Sequence, residues 1–306
     1  MNIFFNKAER RVRAWIRIPF FIIIFFILMA ISAGIPLGGF QFLLTALLTF
    51  GFFWMMFRLI DARSSIAQAG LVLSPRWWRE YGVGVLIGAS VMLLIFAVEW
   101  YSGALEVVGF GWDSPNWILP LAGLFVQMLC VGLYEEFMSR SYLLTNFKEG
   151  FTFGNIDPTK ATFIAIFLSS SIFGILHMFN PNFSMFALIN IISAGVMLAI
   201  PYVLTGRLAY SAGLHFSWNF FQGGVFGFRV SGMSVKNSLL NIHQTGDPFW
   251  TGGSFGPEGG LIGTIATVTI CLVFLMIHKQ KNGKISLHPM FRRTYLQNEE
   301  NFKDLT

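Results

Sequence analysis

Apolar residues run through this chain in long blocks rather than alternating with polar ones. A helix crossing the hydrocarbon of a bilayer needs about 20 mostly apolar residues. Eight blocks have roughly that length: 18–36, 41–60, 82–101, 117–139, 160–179, 184–205, 207–225 and 259–278. The first, second, third, sixth and eighth are plainly apolar, whereas the fourth, fifth and seventh carry polar residues. No internal repeat, low-complexity tract or soluble domain interrupts them. The pattern predicts an all-α, polytopic membrane protein of about eight transmembrane helices, forming one integral-membrane domain over 1–306.

Composition sharpens this picture. Of 306 residues, 55% are apolar and 12% charged, against about 25% charged in a soluble chain, which excludes a water-soluble enzyme of this size. The net charge of +6 does not indicate a nucleic-acid partner, because the basic residues recur in the gaps between apolar blocks. With the N-terminus inside, 19 Lys and Arg fall on the cytoplasmic side and only Arg229 and Lys236 outside. That bias predicts a multi-pass protein of the cell membrane, surrounded by lipid, with both termini cytoplasmic. Arg10, Arg11, Arg13 and Arg17 precede the first block as in a signal peptide. The block is long and lacks a small-residue cleavage pattern, so it is read as a retained span. Cys130 and Cys271 both lie in apolar blocks, which excludes a disulfide framework.

Two connections stand out. Residues 61–81 contain Pro75-Arg76-Trp77-Trp78-Arg79, which reads as an interfacial anchor. Residues 226–258 are rich in Gly and aromatics and run into Trp250-Thr251-Gly252-Gly253-Ser254-Phe255-Gly256-Pro257-Glu258-Gly259-Gly260. This segment reads either as a turn-rich outer loop or as a re-entrant cap over a cavity. Gly84 and Gly88 form a GxxxG pair that predicts a close helix crossing.

Ionisable side chains inside spans are costly and mark functional hypotheses. The groupings are Glu135-Glu136 with Arg140, His177 four residues after Phe173, and His215 with Asn219. Glu99, at the outer end of the third block, is read as interfacial. Successive helical residues are about 100° apart, so Glu135 and Glu136 face different directions. Glu136 and Arg140 are i and i+4 with the acid first, the favourable order for an ion pair. Glu135 is left without a sequence-local cation, as suits a general base. His215 and Asn219 share one helical face and suit an oxyanion. The alternative for each is structural: acids paired to cations on other helices, and histidines bonded to carbonyls. No HExxH is present, and no two Asp lie within spans. Ser169, Ser170 and Ser171 lack a Gly-x-Ser-x-Gly setting.

Taken in order, Glu135-Glu136-x-x-x-Arg140, Phe173-x-x-x-His177 and His215-x-x-x-Asn219 resemble the CAAX-protease and bacteriocin-processing (CPBP, or Abi) family of intramembrane endopeptidases, which includes the type II CAAX prenyl endopeptidases. The resembling core covers about 117–278. The resemblance implies that Glu135, helped by His177, activates water, and that His215 and Asn219 stabilise the oxyanion. Glu136, Arg140 and Phe173 would support the site. It implies hydrolysis of a peptide bond in a membrane-associated, CAAX-like or peptide-precursor substrate. No cofactor is required on the preferred reading; the alternative is Zn2+ held by Glu135, His177 and His215. A non-catalytic membrane scaffold or bacteriocin-immunity protein is the rival function. On these block limits His177 lies near the outer end of its helix, while Glu135 and His215 lie toward the cytoplasm. They meet only if the fifth helix starts early, near Pro158, or the fourth continues to about residue 147.

Overall fold

The computed structural model describes residues 3–35 and 41–303. Eight helices carry the fold. They are α1 (Ala14–Ala33), α2 (Gln41–Ile60), α3 (Pro75–Tyr101), α4 (Ile118–Phe151), α5 (Pro158–Leu176), α6 (Met185–Thr205), α7 (Ala209–Asn219, prolonged by Phe220–Val225) and α8 (Leu261–Asn282). Seven are long and apolar enough to span a bilayer. The chain is a multi-pass, all-α membrane protein. The expected limit of the first span, residue 36, lies outside the described residues.

The seventh block, one of the three with polar residues, forms the shortest of the eight helices. Its helix has 11 residues plus a six-residue π-helical continuation, about 25 Å at 1.5 Å per residue, so it is shorter than the other seven while still leading from the Arg207–Glu80 end of α3 to its Phe96 end. Nearly all of α7 is buried, because other helices surround it rather than lipid. The GxxxG expectation explains how α3 reaches it. A Cβ on Gly88 would lie 2.1 Å from Ser217 Oγ, and one on Gly213 of α7 would lie 2.2 Å from the Tyr81 carbonyl oxygen. Only glycine permits this approach.

Helix starts follow local chemistry. Ser74 and Ser184 accept backbone N–H bonds at the heads of α3 and α6. Asp157 accepts from Thr159 and Lys160, with Pro158 at the first turn of α5. The early start at Pro158 and a fourth helix reaching Phe151 are both present, and together they remove the conflict over His177.

The chain ends meet at one end of the bundle. Arg11 pairs with Glu149 at 2.9 Å, Tyr295 donates to the Ala62 carbonyl, and Lys148 donates to the carbonyls of Met290 and Arg293. At the opposite end, β3 (Leu105–Phe110) pairs antiparallel with β4 (Leu240–Gln244), with a bulge between Val107 and Gly109. A two-residue ribbon, β1 (Phe5–Asn6) with β2 (Arg11–Val12), precedes α1. Two surface expectations are corrected here. Trp77 is buried and its indole N–H donates to the Gly70 carbonyl at 3.1 Å, so only Trp78 is exposed as an anchor would be. Glu99 is fully buried rather than interfacial: Gln244 of β4 folds over it and donates to Oε2 at 2.8 Å.

Candidate active site

A cavity of about 1160 Å3 occupies the bundle interior. Its wall is mostly apolar, with Phe42, Leu43, Leu119, Val131, Ile191, Met197 and Trp218. The polar residues that interrupt it include Glu135, His177, His215 and Asn219. These come from α4, the turn after α5, and α7; α2, α6, α8 and the 230–237 and 258 region complete the wall. Parts of the segment 226–258, residues 230–237 and Glu258, therefore border the cavity, as a cap over it requires.

Three bonds order the core of the site. Arg140 Nη1 donates to Glu136 Oε1 at 2.9 Å, as the i, i+4 spacing anticipates. His215 Nδ1 meets the same oxygen at 2.9 Å. Arg140 Nη2 donates to the Gly195 carbonyl at 3.1 Å. Glu136 and Arg140 are buried to 0% and 1% exposure, so each charge depends on the others for solvation. The Arg140 guanidinium also lies 4.6 Å from the centre of the Phe173 ring. Phe173 is 6.0 Å from the His215 ring, edge to face, and 4.7 Å from His177. Phe173 thus fills the space between the three groups.

Because Glu136 holds Nδ1, His215 turns Nε2 toward Glu135, whose Oε2 is 3.7 Å away. An imidazolium at this position has a carboxylate on each side. Glu135 is the less buried of the two acids, with a side-chain exposure of 19% against 0% for Glu136. The divided directions expected of the two glutamates are realised: one into the packing, one to the cavity. Asn219 follows His215 one turn later and borders the same space. The helices widen to π-helical turns directly after Glu136 and directly after Asn219, Phe137–Leu144 (which carries Arg140) and Phe220–Val225, a feature frequent at functional sites.

His177 occupies a different kind of position. It caps α5 and begins a 3₁₀ turn, His177–Phe179, and its Nδ1 lies 2.7 Å from the Phe173 carbonyl oxygen. With Nδ1–H donating there, Nε2 keeps its lone pair. The carbonyl-bonded alternative for His177 is thus present together with exposure to the cavity. Among the described residues no hydrogen bond joins His177 to Glu135.

Zinc sites use three or four protein donors. Among the described residues no three His, Cys, Asp or Glu side chains gather closely enough to hold a metal ion. Glu135 and His215 approach one another, and with Nδ1 bonded elsewhere each motif histidine keeps Nε2 for the cavity.

Sequence reasoning missed Glu258, Ser231 and Asn180 on the cavity wall. Glu258 Oε2 accepts the Ser231 backbone N–H at 2.6 Å and its hydroxyl at 3.0 Å. Burial pushes the Glu258 carboxyl up, against the bonds from Ser231 and the charge of His177. The acid inside the Gly-rich stretch 252–260 was the available signal. Ser169 and Ser170 are buried on α5, the latter against Gly195 of α6, and serve as helix contacts.

No curated protein and no solved structure matches the chain. Residues 117–221 match the family model described as Rce1-like, type II CAAX prenyl endopeptidase Rce1-like. All seven residues of the three motifs fall inside that stretch, so the segment that carries them is similar to type II CAAX prenyl endopeptidases, within a multi-pass membrane protein.

Proposed function

We propose that this protein is an intramembrane endopeptidase acting on a peptide or protein substrate at the membrane, with both chain termini on the cytoplasmic side. One observation carries the reading: of two adjacent glutamates, Glu136 is bound by Arg140 and His215, while Glu135 faces an apolar cavity beside His215 Nε2. Glu135 takes a proton from a water, and His177 Nε2 offers a second acceptor on the same wall. The resulting hydroxide adds to the scissile carbonyl carbon, and the carbonyl oxygen becomes an oxyanion. His215 Nε2–H and the Asn219 amide receive that charge, oriented before it forms. Collapse breaks the C–N bond, and the leaving amine takes the proton held by Glu135. The apolar wall keeps bulk water away, which strengthens each of these interactions.

The Lys and Arg distribution supports the orientation, and the shared end for both termini is compatible with it. No step is routed through a metal. Purified protein in detergent should cleave members of a membrane-peptide library, and exhaustive treatment with a strong chelator should leave the rate unchanged. A rate that collapses on chelation and returns with zinc would overturn this mechanism. Absence of cleavage, with binding of intact peptides, would favour the non-catalytic scaffold.

A further inference from the structure

His177 is the one motif histidine that does not sit in the body of a helix. Glu135, Glu136, Arg140, His215 and Asn219 are each held by a continuous helical backbone on both sides. His177 is the residue at which α5 stops, so its neighbours on the far side must come from elsewhere in the chain. They come from the capping segment. Asn180, whose backbone N–H bonds to the His177 carbonyl, donates its side-chain amide to the Ser231 carbonyl at 2.9 Å. Asn182 reaches the Gly232 carbonyl at 3.4 Å. Ser231 itself holds a left-handed backbone, φ +45°, unusual for a residue with a side chain.

Such a conformation persists only where its surroundings over-determine it. Here Glu258 supplies the constraint, accepting both the N–H and the hydroxyl of Ser231 through a single carboxylate oxygen. The same carboxylate interacts electrostatically with His177 and lies with it on the cavity wall. Glu258 has no ion pair to Lys or Arg among the described residues, so the histidine is the cation-capable group that it meets.

We propose that Glu258 is a positioning residue: with Ser231 and Asn180 it braces the turn after α5 and presents the His177 ring to the cavity. The inference rests on the endopeptidase reading for its kinetic consequence, but not for its structural one. It gives the capping segment a role beyond covering the site. The segment completes the site, because the 117–221 stretch ends before Ser231 and Glu258, the far half of the brace behind one of its own histidines.

The test uses the full chain with its five histidines isotopically labelled on the ring, the His177 signal being assigned by its loss in His177→Gln. Glu258→Gln keeps the shape of the side chain and removes its charge. The His177 signal should move while that of His215 stays. Ser231→Ala, which removes only the hydroxyl donor, should move it in the same direction by less, and it serves if Glu258→Gln does not fold. In kinetics Glu258→Gln should lower kcat by up to about 10²-fold, the scale of a small misplacement of a reacting group, with KM kept within about twofold. An unmoved His177 signal in folded Glu258→Gln overturns the proposal, as does a rise in KM with kcat unchanged. If no variant and no wild-type sample cleaves peptide, the endopeptidase reading fails, and the His177 signal still decides this one.

Discussion

Of two buried charge networks in this bundle, one near the chain termini and one at the motifs, only the second borders the large cavity. At the end where the chain termini meet, Arg63 forms a fork on Glu149 with two bonds of 3.0 Å, Arg11 adds 2.9 Å, and Asp61 accepts from Asn146 at 2.9 Å. Gln68 donates to Glu299 at 2.8 Å and closes the same network against the C-terminal helix Tyr295–Lys303. Its carboxylates are turned inward and none lines the large cavity. The second network, Glu136 with Arg140 and His215, is as deeply buried. It differs because it holds one face of His215 and leaves Nε2 and Glu135 directed at open space. Burial of charge therefore does not mark a site here. A polar group left uncommitted beside a cavity does.

That contrast can be broken most sharply at Glu135. Glu135→Gln should abolish turnover, since an amide nitrogen cannot accept the proton of water, and thermal stability should stay near wild type. Retained turnover in a folded Gln variant would remove Glu135 from the chemistry.

Glu149→Gln is the counterpart at the closed network. Removing the buried charge that Arg63 and Arg11 share should cost about 3–5 kcal/mol of stability, as for a broken buried pair, while turnover per folded molecule is unchanged. Denaturation in detergent, with rates normalised to folded protein, separates the two quantities. A loss of normalised turnover equal to that of Glu135→Gln would show that the networks are not independent.

Asn219→Ala removes one proposed oxyanion donor and should slow turnover about 10²–10³-fold, roughly 2.7–4 kcal/mol, with substrate binding retained. Normal turnover in this variant would leave the oxyanion to His215 alone.

The smallest expected effect is a pH dependence at the closed end. His288 is held down to about 4 from an ordinary 6.5 by burial and by Arg207, Arg292, Arg293 and Arg76. The folded state thus binds fewer protons than the unfolded one between those values. His288 favours the folded state fully above about pH 6.5, and that contribution is lost as pH falls toward 4, by at most about 3 kcal/mol. Melting curves of wild type and His288→Asn should diverge across that window, and parallel curves would remove His288 as the cause.

Much of the molecule was legible from local pattern. Helix order, the Pro158 start, the Glu136–Arg140 pair and the Gly84–Gly88 crossing each depend on residues within a few positions of one another. The opposite directions of Glu135 and Glu136 also follow from helical geometry alone. Glu99 and Trp77 were misplaced because hydropathy says where a helix end lies along the chain, not what folds over it.

What the sequence alone determined about this protein is its environment and its local geometry: apolar blocks that demand lipid or protein around them, and side chains that share a helical face. Which acid His215 would take, 79 positions away, was decided only by the packing of α4 against α7. So were the closure of Arg63 onto Glu149 and the brace that Glu258 forms behind His177. Helical periodicity is set by bonds between near neighbours along the backbone. A partner dozens of residues distant is chosen by which burial leaves the fewest charges unsolvated, and that is a property of the whole bundle.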